Sequence, residues 1–187
     1  MERDITITSN NMLHSSGNES FKNIKTFKKA CEILGINYND VNSVIEDIIK
    51  LSNSKSAAAM FKLSVIRRAL NLGQDLPFTK NSKNPCIYYP YIPCVNENST
   101  LYMGQLNSGK MEIIGKIKVG RTECNILGGG TTCCYANLGF HSTYEELVGC
   151  ASKEIAKHFS KYFGMTIIEA RYSNLENFEI ITNYYKN

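Results

Sequence analysis

The residue types best suited to chemistry in this sequence are cysteine and histidine. The 187-residue chain contains seven cysteines and three histidines, and both side chains can bind metal ions or take part in nucleophilic catalysis. Structural zinc sites space their cysteines about two to four residues apart, whereas no Cys-x-x-Cys occurs here. Cys133, Cys134 and His141 could converge on a metal ion, but reduced, packed thiols are the favoured interpretation. We therefore predict no metal site.

A cysteine–histidine pair is the second candidate chemistry. Cys134 could be activated by His141 or His158, provided that a third group orients the imidazole ring. The spacing marks no such group, and Glu145 and Glu146 are accounted for as acidic residues near the start of a predicted helix. The sequence therefore predicts no catalytic residue, and we expect a protein that is not an enzyme.

Two segments that contain glycine invite comparison with phosphate-binding loops. One is the triple glycine Gly128–Gly130 and the other is Asn107-Ser108-Gly109-Lys110. Neither has the spacing of a Walker motif, and neither is a GxGxxG that joins a strand to a helix. We predict no nucleotide and no other cofactor.

Candidate partner contacts come from aromatic and β-branched residues. Tyr88, Tyr89 and Tyr91 lie among prolines and have few charged neighbours, which is typical of a protein contact surface. In the polar N-terminal segment, Ile5 and Ile7 alternate with threonines like a short edge strand. These five residues are the predicted contact residues.

The charge distribution limits the class of partner. The net charge is +4, and by our count the positive excess lies within residues 1–85, which hold 12 Lys and Arg against 8 Asp and Glu. This excess is compatible with an anionic partner but is far from the basic stripe of a nucleic-acid-binding protein. Nucleic acid is therefore an unlikely partner. The chain has neither a signal peptide nor a run of about 18 apolar residues, so we expect no membrane association.

The periodicity of apolar residues predicts an α+β fold. We expect an N-terminal helical unit of about three helices, a small antiparallel sheet, and a long amphipathic helix packed on that sheet. The predicted divisions are a polar arm over residues 1–22 and a single domain over 23–187, with a helical part 23–73, a strand-rich part 86–140, a helix 142–163 and a C-terminal strand or tail 165–187.

The helix over residues 142–163 has the most regular pattern. Ser142 and Glu145 have capping-box spacing, and Gly164 is placed to end the helix. After it, residues 165–172 are predicted to form a strand. Before it, we predict a hairpin that turns at residues 107–109, a short strand over 122–127 and a flexible glycine loop over 127–132.

Several blocks of the sequence together resemble a known group of proteins. They are Ile24-Lys25-Thr26-Phe27-Lys28-Lys29-Ala30-Cys31 with Leu34-Gly35, Phe61-Lys62-Leu63 with Ile66-Arg67-Arg68-Ala69-Leu70-Asn71, Tyr88-Tyr89-Pro90-Tyr91, and the segment from Cys133 to Phe163. In this order they resemble small proteins encoded by tailed phages and prophages of gut bacteria, including crAss-like phages. The similarity covers roughly residues 24–163, and residues 100–131 depart from the shorter middle of that group.

The resemblance implies a phage protein without catalytic residues. The expected function is a non-enzymatic structural component of the virion, such as a capsid decoration, head-fibre, neck or tail protein. Its expected partners are other virion proteins, with several copies or a homo-oligomer per particle. The alternative is an intracellular phage factor that binds DNA or a host protein through the basic N-terminal half.

Overall fold

Three helices form the N-terminal part of the fold, as the sequence predicts. The computed structural model describes residues 20–74, 86–96, 99, 104, 106–135 and 148–185. After a 3-10 turn at Ser20–Asn23, the helices are α1 (Phe27–Ile33), α2 (Tyr38–Ser52) and α3 (Lys55–Leu70). The side chains of Thr26, Asn37 and Ser54 each accept a hydrogen bond from a backbone N–H in the first turn that follows, which fixes where the three helices begin.

The fourth helix, α4, spans Lys153–Tyr172, so the predicted helix over 142–163 is wrong in both bounds. The Ser152 hydroxyl caps α4 by accepting from the Ile155 N–H at 3.2 Å. Just before the cap, Cys150 exchanges two backbone hydrogen bonds with Tyr88 as a β-bridge. A chain segment in that extended pairing cannot also be helical, and residues 142–147 lie outside the described part of the chain.

The strand predicted over residues 165–172 is also wrong, because α4 continues through it. Gly164 lies inside the helix, where a β-carbon would collide with the side chain of Ile114. Its role is thus close packing and not helix termination. The five residues from Gly164 to Ile168 are all buried, and a short apolar run of this kind does not distinguish a strand from a buried helix by its periodicity.

Six strands in the described residues form two small antiparallel sheets. They are β1 (Cys86–Tyr91), β2 (Cys94–Val95), β3 (Glu112–Val119), β4 (Thr122–Gly128), β5 (Gly130–Tyr135) and β6 (Phe178–Asn183). One sheet pairs β1 with β5, and the other has the order β2-β4-β3-β6. The predicted strand over 122–127 is confirmed. β6 lies in the C-terminal segment 165–187, which was predicted only as a strand or tail. Pro90 and Pro93 are accommodated because β1 and β2 are short and lie at sheet edges.

The hairpin of this region is not the predicted one. β3 turns into β4 through Gly120 and Arg121, with Val119 paired to Thr122 and Gly120 at φ +60°. The predicted hairpin would pair residues 101–106 with β3. However, β3 is already paired with β4 on one side and with β6 on the other, so no edge is left for a further strand. Of the predicted first strand and turn, positions 104, 106 and 107 are helical, and 101–103 and 105 lie outside the described residues.

The triple glycine is strand rather than a flexible loop. Gly128 ends β4 and Gly130 begins β5, with Gly129 between them at φ +89°. A β-carbon at Gly128 would lie 2.8 Å from the backbone oxygen of Ser160 and 2.5 Å from Ile114 Cγ2. Glycine is required there because the sheet passes directly over α4.

The buried side chains form two main clusters that meet on α4. The larger joins α1, α3, β1 and α4, and its fully buried aromatic residues are Phe159 and Phe163. The second lies under the four-stranded sheet, where Ile114, Ile117 and Ile126 pack against Met165 and Ile168. α4 therefore supplies apolar side chains to both clusters, which confirms the prediction of a helix packed on a sheet.

Candidate functional site

A cleft of about 600 Å³ opens between the two sheets, beside the C-terminal half of α4. One wall is the end of β1, another is the inner face of β3 with Ile117 and Val119, and α4 contributes Ile167 and Ile168. Most of its lining is apolar, and Arg171 is the single charged side chain among its described lining residues. A concave, mainly apolar surface with few polar groups is the usual form of a binding site.

Two of the three predicted contact tyrosines line this cleft. Tyr89 is buried and Tyr91 is 43% exposed at the rim. Tyr88 is half-buried against the larger core cluster, and its backbone pairs with Cys150. The alternation follows from the strand, because neighbouring residues of β1 point to opposite faces. Ile5 and Ile7 lie outside the described residues.

The opposite rim consists of residues that sequence reasoning missed. Tyr172 and Leu175 are exposed, Leu175 by 51%, and with Ile168 and Arg171 they line the cleft. The spacing from residue 168 to 171, 172 and 175 is that of one helical face. The same spacing can be read from the sequence, but the helix was predicted to end at residue 163, so residues 168–175 were not considered as one helical face. Nothing in the sequence marks Ile117 and Val119 as residues of a cleft, because only tertiary packing brings β3 to this position.

Cys94 and Cys133 also line the cleft, and both are exposed. Cys94 pairs with Ile126 in the sheet, which places its thiol beside that of Cys124, two residues away on the same face. Although the residue as a whole is exposed, partial burial of its thiol and the hydrogen bond with Cys124 raise the pKa of Cys94 to about 12. The thiolate is therefore scarce at neutral pH, which makes Cys94 a poor nucleophile.

Of Cys134, His141 and His158, only His158 has a described side chain, and it does not line this cleft. His158 lies in the first half of α4, where its Nε2 is 2.8 Å from the Ile24 carbonyl oxygen. The side chain of Cys134 and all of His141 lie outside what the structure describes. Within the described residues, no group of three or more His, Cys, Asp or Glu side chains is placed to hold a metal ion, and no helix is long and apolar enough to cross a membrane.

The basic residues of the N-terminal half are distributed over several faces. Arg67 donates to the Gly149 carbonyl at 3.2 Å, whereas Arg68 is exposed. The two adjacent arginines diverge, as the helical geometry predicts. Lys29 pairs with Glu32 at 3.0 Å on α1. Within the described residues of this half, these contacts hold Arg67 and Lys29 against their own fold and do not assemble a basic groove.

No protein-family model, no curated protein and no solved structure matches this chain. The resemblance to small phage proteins therefore stays a prediction. What the geometry provides is an apolar cleft with one cation at its edge and exposed aromatic and aliphatic side chains on two rims. Such a surface suits an apolar anchor of another protein.

Proposed function

We propose that this protein is a non-enzymatic structural component of a phage virion, and that it binds other virion proteins through the cleft between its two sheets. The observation that carries the proposal is the exposure of large apolar side chains on both rims of that cleft. Tyr91 belongs to one rim, and Tyr172 and Leu175 belong to the other. Exposed apolar surface around a concave site is a common mark of protein contact.

The composition of the cleft favours a protein partner. Tyrosine and arginine are enriched in protein interfaces, where their large side chains bury apolar area and keep a polar end. Tyr89, Tyr91 and Arg171 give the cleft this composition. A partner that covers roughly 100 Å² of apolar cleft surface gains about 2.5 kcal/mol. A single contact of this size is weak, and repeated copies on one particle would add strength by multivalency.

The test is quantitative mass spectrometry of purified phage particles, with the protein normalised to the major capsid protein. A fixed ratio of copies per capsid subunit is the expected result, and the ratio distinguishes a shell decoration from a complex at a single vertex. Particles that lack the protein would rule out the structural role.

A matched pair of variants tests the cleft itself. Leu175→Asp replaces an apolar side chain of the cleft rim by a charge, and we expect it to lower the copy number per particle by about tenfold, since the apolar contact is lost and a carboxylate must be desolvated. Leu51→Asp is the control, because Leu51 on α2 is 89% exposed and does not line the cleft. Equal copy numbers of the two variants per particle would show that the cleft is not part of the contact surface.

The alternative is an intracellular factor that binds DNA or a host protein through the N-terminal half. Binding that rests on phosphate contacts weakens steeply as salt concentration rises. If purified particles lack the protein and duplex DNA binds it with a steep salt dependence, the alternative replaces the virion role.

A further inference from the structure

A second depression, of about 400 Å³, lies beside the first half of α4. Four lysines line it, and they come from three parts of the chain. Lys22 lies in the 3-10 turn, Lys110 precedes β3, and Lys157 and Lys161 lie one turn apart on α4. Folding thus gathers positive charge that is separated by more than a hundred residues in the sequence.

The acidic residues of the depression compensate only part of this charge. Glu112 and Glu154 are its two carboxylates, so four lysines and two glutamates give +2 with histidine neutral. Glu112 is engaged already, because Lys161 donates to it at 3.0 Å and the Tyr185 hydroxyl donates to its other oxygen. Lys110 and Lys157 have no ion pair within the described part of the chain.

His158 gives a separate indication of positive potential at this place. It lines the depression between the rings of Phe21 and Tyr162, at centroid distances of 5.5 and 4.6 Å. Its pKa lies below the usual value, first because of burial and further because Lys25 and Lys161 repel the protonated ring. Burial disfavours a charge of either sign, but the repulsion by the two lysines is the part of this shift that favours an anion.

We propose that this depression binds the phosphate group of an anionic ligand, with Lys110 and Lys157 as its main contacts. The lysine ammonium group is a compact charge with three donors and is a common phosphate ligand. The volume falls within the range of small-molecule sites, and buried Phe21 and Met111 form part of its wall. The proposal is independent of the virion role.

Recognition by lysines distinguishes this site from a phosphate-binding glycine loop. Gly128 and Gly129 line the depression, but the Gly129 N–H already donates to the Ser160 hydroxyl at 3.1 Å. Gly128 is explained by its close approach to α4. Binding should therefore depend on side-chain charge and not on a backbone cradle.

The first experiment measures the binding of inorganic pyrophosphate by calorimetry at low salt. Lys110→Gln and Lys157→Gln are each expected to weaken binding about fivefold, the loss typical of one partly exposed ion pair. The matched control is Lys118→Gln, which removes the same charge from the far end of β3, about 20 Å from Glu112. Absence of saturable binding to the unmodified protein, or equal weakening in the control, would overturn the proposal.

A second readout needs no substitution in the site. A bound dianion stabilises imidazolium, so pyrophosphate should raise the pKa of His158 as followed by NMR of the imidazole C–H protons. His158→Gln identifies the resonance, since the chain has two further histidines. Binding without any shift of that resonance would place the ligand elsewhere and overturn the proposal.

The source of the phosphate is settled by competition. A single-stranded oligonucleotide that is displaced by pyrophosphate, and whose binding has a salt dependence of several charges, identifies a nucleic-acid backbone. Pyrophosphate binding without oligonucleotide binding identifies a small phosphate compound. Oligonucleotide binding that ignores both pyrophosphate and the two lysine substitutions contradicts the site.

Discussion

The hydroxyl oxygen of Ser160 accepts a hydrogen bond from the Gly129 N–H at 3.1 Å and donates one to the Tyr91 carbonyl at 3.0 Å. Ser160 is completely buried on α4. One side chain thus satisfies the backbone at the junction of β4 and β5 and at the end of β1, and it connects both sheets to the helix.

Removing this hydroxyl should destabilise the fold. Ser160→Ala removes the hydrogen bonds that the hydroxyl makes with the Gly129 N–H and the Tyr91 carbonyl, and we expect the free energy of unfolding to fall by about 2–4 kcal/mol. Urea denaturation measures the change. The control is Ser64→Ala. The Ser64 hydroxyl donates to the Phe61 carbonyl oxygen within its own helix, at 2.7 Å, and links no other element of the described structure. That substitution should stay within about 0.5 kcal/mol, and similar losses in both would contradict the linking role.

Close packing at Gly128 gives a second prediction. A β-carbon there meets the backbone of Ser160 at 2.8 Å and of Lys161 at 3.0 Å, so the sheet and the helix must separate to admit it. Gly128→Ala should lower stability by about 1–3 kcal/mol in thermal or urea unfolding. Gly104→Ala is the control, because no atom of the described residues lies within 4 Å of its β-carbon position. If Gly128→Ala leaves the stability unchanged, the strand can move away from α4.

The third prediction concerns thiol reactivity at the cleft. The pKa of Cys94 is raised to about 12 by burial of its thiol and by the hydrogen bond with Cys124. At pH 8 its thiolate fraction is then roughly a thousandfold below that of an ordinary cysteine. Iodoacetamide should modify Cys94 at least about 100-fold more slowly than a short cysteine peptide, as followed by mass spectrometry of the digested protein.

Cys124→Ala provides the control for this reactivity. The substitution removes the hydrogen-bond partner that is the second cause of the raised pKa, and Cys94 should react faster in this variant than in the unmodified protein. Rapid labelling of Cys94 in the unmodified protein would show that its thiol is not held beside Cys124.

The fourth prediction is a pH dependence of stability. His158 has a lowered pKa in the folded state, mainly because it is buried. The unfolded chain therefore binds more protons below about pH 6.5, and the stabilisation from neutral His158 is present above that pH and lost as the pH falls. The slope cannot exceed about 1.4 kcal/mol per pH unit for one group.

Urea unfolding at pH 5, 6, 7 and 8 tests this dependence. The difference between the unmodified protein and His158→Gln should shrink as the pH falls below 6.5. Glu169, whose pKa is raised by burial, contributes with the opposite sign, but it is present in both proteins and cancels in the difference. A difference that does not change with pH would contradict a buried neutral imidazole.

The parts of the fold that follow from the sequence are those with local causes. α1, α2 and α3 each combine an apolar stripe with a side-chain cap, and both signals act within a few residues. Pro90 and Pro93 exclude a regular central strand, and β1 is accordingly one of the two strands of a small sheet. Nothing beyond short-range chemistry is needed for these elements.

The errors lie where tertiary contacts decide. Gly164 has the sequence appearance of a helix end, but Ile114 from a distant strand makes glycine necessary inside α4. The hairpin was misplaced because β6, more than sixty residues after Gly109, occupies the edge of β3. The cleft also depends on tertiary contacts. Tyr89 and Tyr91 were predicted as contact residues, whereas Leu175 and Val119 come to line the same cleft only when the chain has folded.

The position of α4 in the chain has a consequence for synthesis. Its Phe159 and Phe163 complete one cluster, and its Met165 and Ile168 complete the other. The third helix ends at Leu70, so the ribosome must add about 100 more residues before α4 is complete, which takes roughly 5–20 s at usual rates of synthesis. During that interval the nascent chain exposes apolar side chains of both clusters that have no native cover.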